Sequence, residues 1–171
     1  MAAVVNVREG NGAPTGVWNI VESPRFCTAD NYNPGSQNPL VKPESGSNYS
    51  YKKSFRLYTG GTAAVTNINN IKFFSDGESS WTGITINSKL VTTYAQATGT
   101  EGTTGDVMSG GTDVFTYTTA APLSVTQSMG DISATTINSP VSDIVEMQAV
   151  VGATASTPGA GETFTFRYDE T

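Results

Sequence analysis

The stretch Tyr49-Ser50-Tyr51-Lys52-Lys53-Ser54-Phe55-Arg56-Leu57-Tyr58 decides the fold. Tyr49, Tyr51, Phe55 and Leu57 fall on one side of it, and Ser50, Lys52, Ser54 and Arg56 on the other. A period of two predicts a half-buried β-strand. Lys53 interrupts the apolar side, which predicts a slip or bulge there. The same period returns near the C-terminus. Val145, Met147, Ala149 and Val151 alternate with Glu146, Gln148 and Val150, and Phe164, Phe166 and Tyr168 alternate with Thr163, Thr165, Arg167 and Asp169. Between them, one or two strands are expected over 62–74, with Ile71 and Phe73 on a shared face. Others are expected over 81–86 and 89–94, joined through Asn87-Ser88, and over 114–118 and 123–126. Gly60-Gly61 and Ser75-Asp76-Gly77-Glu78 supply turns between these runs. Eight or more short strands at this spacing, with no long amphipathic helical stretch, predict an all-β fold: an antiparallel β-sandwich, jelly-roll-like in style.

Upstream the pattern weakens. Val4 to Arg8 is β-like with no partner nearby in the sequence, and 17–22 is a second strand candidate. From 23 to 48 the chain is irregular and holds Pro24, Pro34, Pro39 and Pro43; such punctuation blocks regular pairing. Residues 1–48 are therefore expected to form an extended, Pro-rich N-terminal arm, and 49–171 the sandwich domain. Val4, Val5 and Val7 are expected to add an edge strand to a neighbouring subunit.

Composition excludes much chemistry. With no His in 171 residues, every triad or dyad using imidazole as base is impossible. Cys27 alone makes neither an intramolecular disulfide nor a Cys-rich zinc site; a buried apolar role is expected of it. Asp143 and Glu146 lie three apart in a strand and point to opposite faces, a poor arrangement for a glycosidase pair. Asp76-Gly77-Glu78 and the Asp106/Asp113 pair lack the spacing of a calcium loop. No catalytic, cofactor-binding or metal-binding residue is expected, and the chain is read as a non-enzyme. Trp18, Trp81, Tyr94 and Tyr117 offer an alternative, a carbohydrate-binding or adhesin-like module with a groove lined by Trp81, Tyr94 or Tyr117.

Charge is divided along the chain. The net charge is −6, yet residues 1–89 hold eight Lys/Arg against six Asp/Glu, while residues 90–171 hold Arg167 against nine acids. This asymmetry points to an early part that meets an acidic neighbour, with Lys52, Lys53 and Arg56 as contacts. The acidic balance disfavours nucleic-acid binding. No apolar run approaches the roughly 18 residues of a membrane span, and the first residues lack the basic and apolar regions of a secretory signal.

Two segments carry a family resemblance. Lys53-Ser54-Phe55-Arg56-Leu57-Tyr58 through Asn70-Ile71-Lys72-Phe73-Phe74-Ser75-Asp76-Gly77, and Ser142-Asp143-Ile144-Val145-Glu146-Met147-Gln148-Ala149-Val150 followed by Thr163-Phe164-Thr165-Phe166-Arg167-Tyr168-Asp169-Glu170, resemble small β-sandwich virion proteins of tailed bacteriophages. In that group a strand patterned N-I-K-F precedes a turn, and the chain closes on F-x-Y-D-E. The resemblance spans about residues 50–171 and brings no catalytic residues. It implies a capsid decoration or cement protein, or another head, connector or tail component. It implies the major capsid protein or other virion proteins, and further copies of the chain, as partners. It also implies location in the virion after synthesis in the host cytoplasm.

Overall fold

The computed structural model describes residues 4–13, 15–60, 67–126, 132–133 and 138–170. Thirteen strands are present among them: β1 (Val4–Asn11), β2 (Val17–Ile20), β3 (Ser47–Tyr49), β4 (Lys53–Gly60), β5 (Asn67–Phe74), β6 (Ile84–Val91), β7 (Gly99–Thr100), β8 (Thr104–Gly105), β9 (Thr112–Asp113), β10 (Leu123–Ser124), β11 (Ile132–Ser133), β12 (Ile144–Gly152) and β13 (Thr165–Glu170). A seven-stranded antiparallel sheet runs β2-β1-β4-β12-β6-β9, with β3 also paired to β12. A four-stranded sheet centres on β5, with β13 along one side and β10 and β11 on the other. The sheets pack face to face over a main core, with a smaller cluster of Ile84, Ala149, Val151 and Ala155 beside it. Phe55, Leu57, Ile86, Val145 and Met147 come from the larger sheet, and Ile68, Ile71 and Phe73 from the smaller. The expected antiparallel β-sandwich is what the chain forms.

Two bulges set which side chains reach that core. Tyr49 lies opposite Val150 and Lys53 opposite Met147, so four steps on one strand match three on the other. The extra residue reverses the facing of everything after it. Tyr49 and Phe55, assigned by alternation to one face, are therefore on opposite faces, while Lys53 joins Phe55 and Leu57 on the inner one. In the smaller sheet, Lys72 pairs with Arg167 and Asn69 with Asp169. Asn70 takes the extra step at φ 49°, a left-handed conformation that Asn tolerates. This is why Ile68 and Ile71, three residues apart, are both fully buried.

Residues 1–48 do not stand apart as an arm over their described length. β1 pairs with β4 from Val4↔Gly60 to Gly10↔Ser54 and with β2 on its other side, so it is an interior strand of the larger sheet. Val5 and Val7, expected to pair with a neighbour, sit opposite Thr59 and Leu57 and pack on the core. Alternation showed β character at Val4–Arg8 but not its partner, 50 residues downstream. The irregular stretch after β2 covers one end of the inner face instead: Tyr51 N–H donates to the Cys27 carbonyl at 2.9 Å, and Cys27 is buried as expected.

Other expectations shift locally. The candidates at 81–86 and 89–94 form one strand, Ile84–Val91, because Asn87 pairs with both Gln148 and Asp113 and the polar pair does not break the ladder. Val114–Thr116 is a 3-10 turn rather than a strand, capped by the Asp113 carboxylate accepting from Phe115 N–H. The loop after β6 forms a small β7–β8 hairpin. It lies against the larger sheet's outer face, with Gly105 close enough to β3 that a Cβ there would stand 2.2 Å from the Ser50 carbonyl oxygen.

Candidate functional site

The outer face of the larger sheet, away from the core, gathers the most distinctive side chains at its β2-β1-β4 end. Even-numbered residues of β1 and β4 point there. Arg8 lies directly opposite Arg56, Gly10 opposite Trp18, and Asn6 opposite Tyr58. The absence of a side chain at Gly10 lets Trp18 fold across the sheet; a Cβ at Gly10 would stand 2.9 Å from the indole. Trp18 then meets Tyr58 at 5.8 Å and Tyr94 edge-on at 5.6 Å between ring centroids. The Arg56 guanidinium lies 5.6 Å from the Trp18 ring centroid and that of Arg8 4.6 Å from the Tyr58 centroid, both within cation–π range. Arg56 Nε donates to the Ser142 carbonyl at 2.7 Å, and Arg8 donates to the Asn138 side-chain oxygen.

At the border of this group, Val4 is 45% and Ile20 50% exposed, and Val17 reaches 65% on the free edge of β2. Three of the four exposed large aliphatic residues among those described thus lie on two adjacent strands. Edge pairing is partly blocked, because the Tyr32 hydroxyl donates to the Ile20 carbonyl at 2.5 Å.

Toward the sheet centre, Glu146 is 2% exposed and lies 3.5 Å from both the Lys52 and Lys89 ammonium groups. Gln148 follows on the same face. Glu146 and Gln148 alternate with the core-facing residues of β12, yet both are buried. The segment after β6 folds over them: Gln148 Oε1 accepts from Met108 N–H at 2.8 Å, and its Nε2 donates to the Ser50 and Asp106 carbonyls at 2.7 and 2.8 Å.

Of the three basic residues expected to meet a partner, Lys52 and Arg56 are on this face and Lys53 is not. The bulge turns Lys53 inward, where it is 1% exposed and bonded to Glu9 Oε1 at 2.6 Å and the Asn31 carbonyl at 2.7 Å. Arg8 was missed. Its β register against Arg56 is a long-range fact, although its position in the Val4–Arg8 pattern was visible. The expected groove of Trp81, Tyr94 and Tyr117 is not assembled. Trp81 packs on Phe26 at the inner, core side, where a cleft of about 910 Å³ opens between the sheets, lined by Phe26, Trp81, Phe164 and Phe166. Tyr94 is on the outer face, its hydroxyl donating to the Gly12 carbonyl at 2.9 Å. Tyr117 follows the 3-10 turn, its carbonyl accepting from Ser75. Asp143 and Glu146 are likewise separated in function: Asp143 accepts from Thr126 and Glu146 sits between its lysines.

Burial, and then the nearby charges of Asp30, Glu146 and Glu9, push the Tyr94 phenol up to about 12. The folded state therefore holds this proton where the unfolded chain, near 10, releases it. The associated stability is complete below pH 10 and declines as pH rises toward 12. Ultraviolet titration of the phenolate band should show a late-titrating Tyr that disappears in Tyr94→Phe; a normal titration of all seven tyrosines would refute this packing.

Fold and site together define an antiparallel β-sandwich with an arginine–aromatic outer face; among the described residues no helix is long and apolar enough to cross a membrane. No family model, curated protein or solved structure matches the chain.

Proposed function

We propose that this chain is a non-enzymatic structural protein of a tailed-phage virion, a decoration or cement protein that binds the head and stabilises it. The family resemblance of residues 50–171 motivates the reading. The observation that carries it is the outer face at β2-β1-β4. Trp and Arg are among the residue types that anchor protein interfaces, and here half-buried Trp18, Arg8 and Arg56 stand together over the buried Tyr58 ring, beside exposed Val4 and Ile20. Docking this face removes apolar area from water. A shell that is bound only when assembled gains stability by mass action. Val4 serves this role through its exposed side chain rather than by adding a backbone strand to a neighbour.

The test uses particles purified on a density gradient from the source culture. The chain is expected to co-migrate with heads, and antiserum against it should label their surface. The pair Val4→Glu with Ile20→Glu, both at exposed positions, should keep the β-sheet circular dichroism and weaken head binding about tenfold or more, the equivalent of about 1.4 kcal/mol. Recovery of the chain only in the particle-free fraction would overturn the proposal.

A further inference from the structure

Resting on the reading of this face as a docking surface, we infer that the Arg8–Arg56 doublet is the anchor for an acidic polypeptide segment of the partner. Like charges directly opposite one another across an antiparallel pair are unfavourable. Arg8 and Arg56 are in that position, and neither forms an ion pair among the described residues, whose three salt bridges all involve lysines. Of the carboxylates nearby, Glu146 is shared by Lys52 and Lys89, and Asp30, at the Gly12 end of β1, accepts from the Asn11 side chain and Gly12 N–H. The doublet thus holds two guanidinium charges with no carboxylate partner among the described residues, in a chain of net charge −6; Asp106 and Asp113 lie beyond Gln148 and Asn87, toward the far edge.

The geometry suits a carboxylate. Cation–π contacts with Tyr58 and Trp18, and the bonds to Asn138 and Ser142, hold the two guanidinium groups in place before a ligand arrives. Arg56 uses its Nε on Ser142, and planar guanidinium donors bind carboxylates bidentately. The occupant is a polypeptide rather than a sugar or a free ion because the doublet is bordered by exposed Val4 and Ile20 and the free edge of β2. A cationic centre with an aliphatic margin fits acidic side chains alternating with apolar ones on one strand or loop. The same field would steer the acidic neighbour toward this face and away from the acid-rich remainder of the chain.

The experiment is a nuclear magnetic resonance titration of the full chain with a hexaglutamate peptide at low salt. Arg8 and Arg56 Nε–H and the Trp18 indole N–H are expected to shift together, and the affinity to fall as salt screens the contact. Arg8→Gln with Arg56→Gln should weaken binding about tenfold or more. Arg8→Lys with Arg56→Lys, which keeps the charge but removes the planar fork, should recover only part of it. Shifts spread evenly over Lys42 and Lys72, or no shift at the doublet, would overturn the inference. So would equal binding of a glucuronate oligosaccharide or duplex DNA. Peptide binding by a chain that never co-purifies with heads would refute the virion reading and leave this one standing. Head binding unaffected by Arg8→Gln with Arg56→Gln would do the reverse.

Discussion

Lys53→Met is expected to destabilise the folded chain by about 3–5 kcal/mol, the cost of leaving one member of a buried ion pair without the other. Glu9 and Lys53 are each about 1% exposed, and they are held 2.6 Å apart on the core side of the larger sheet. Glu9 Oε2 has no hydrogen-bond partner among the described residues, so Lys53 is the main compensation for that charge. Lys53 also donates to the Asn31 carbonyl, which ties the irregular covering segment to the sheet. The loss should therefore appear in two places: a lower urea midpoint for global unfolding, and faster proteolysis between β2 and β3. Glu9→Leu with Lys53→Met replaces both charges and should recover most of the stability. A single substitution that lowers stability by less than about 1 kcal/mol would show that the pair is solvated and the bulge misplaced.

Gln148→Leu should be nearly as damaging, by about 3 kcal/mol or more, for a different reason. The shape is kept, but the Met108 N–H and the Ser50 and Asp106 carbonyls lose their partner together. Each buried backbone group left unpaired costs about 1–3 kcal/mol. The effect should be local first. Amide hydrogen exchange at Met108 should rise well before that of β12, because the segment over the outer face opens while the two-sheet core persists. Unchanged exchange at Met108 would mean that the segment is held by other contacts, such as the Tyr49 N–H bond to Thr104 Oγ1 at 2.9 Å.

These two residues show where reading the chain directly succeeded and where it stopped. Period-two alternation was sufficient for β4, β12 and β13, because each has one face against the core. It also marked Lys53 as the point where the pattern fails, and a bulge does occur just before it, between Tyr49 and Lys53. It misplaced Tyr49 relative to Phe55 because the direction of a slip depends on the partner strand, and β12 lies about 90 residues away. It gave no sign that Glu146 and Gln148 are buried, because a central strand covered on both faces looks, in its own alternation, like a half-buried one. The covering segment, rich in Gly and Thr, has no apolar periodicity to announce itself.

The candidate docking face was partly legible. Lys52 and Arg56 were noted for their charge, and Val4 and Trp18 for other reasons, and the excess of basic residues lies in the half of the chain, 1–89, that also holds Arg8. Their union was not legible, since β1 and β4 are joined by a register that spans some 50 residues.

By itself, then, the sequence determined that this protein is all-β, that its core alternates along a few strands, that imidazole chemistry is closed to it, and that its charge is divided. Those properties are local or compositional, and local patterns are carried within each strand. The tertiary structure alone decided that Val4–Asn11 enter the sheet rather than reach away from it. It also decided that Lys53 is a core residue, and that Arg8 faces Arg56 beside Trp18. Each of these depends on which strands become neighbours and in what register, a choice made by the packing of two whole sheets and not by any one stretch of the chain.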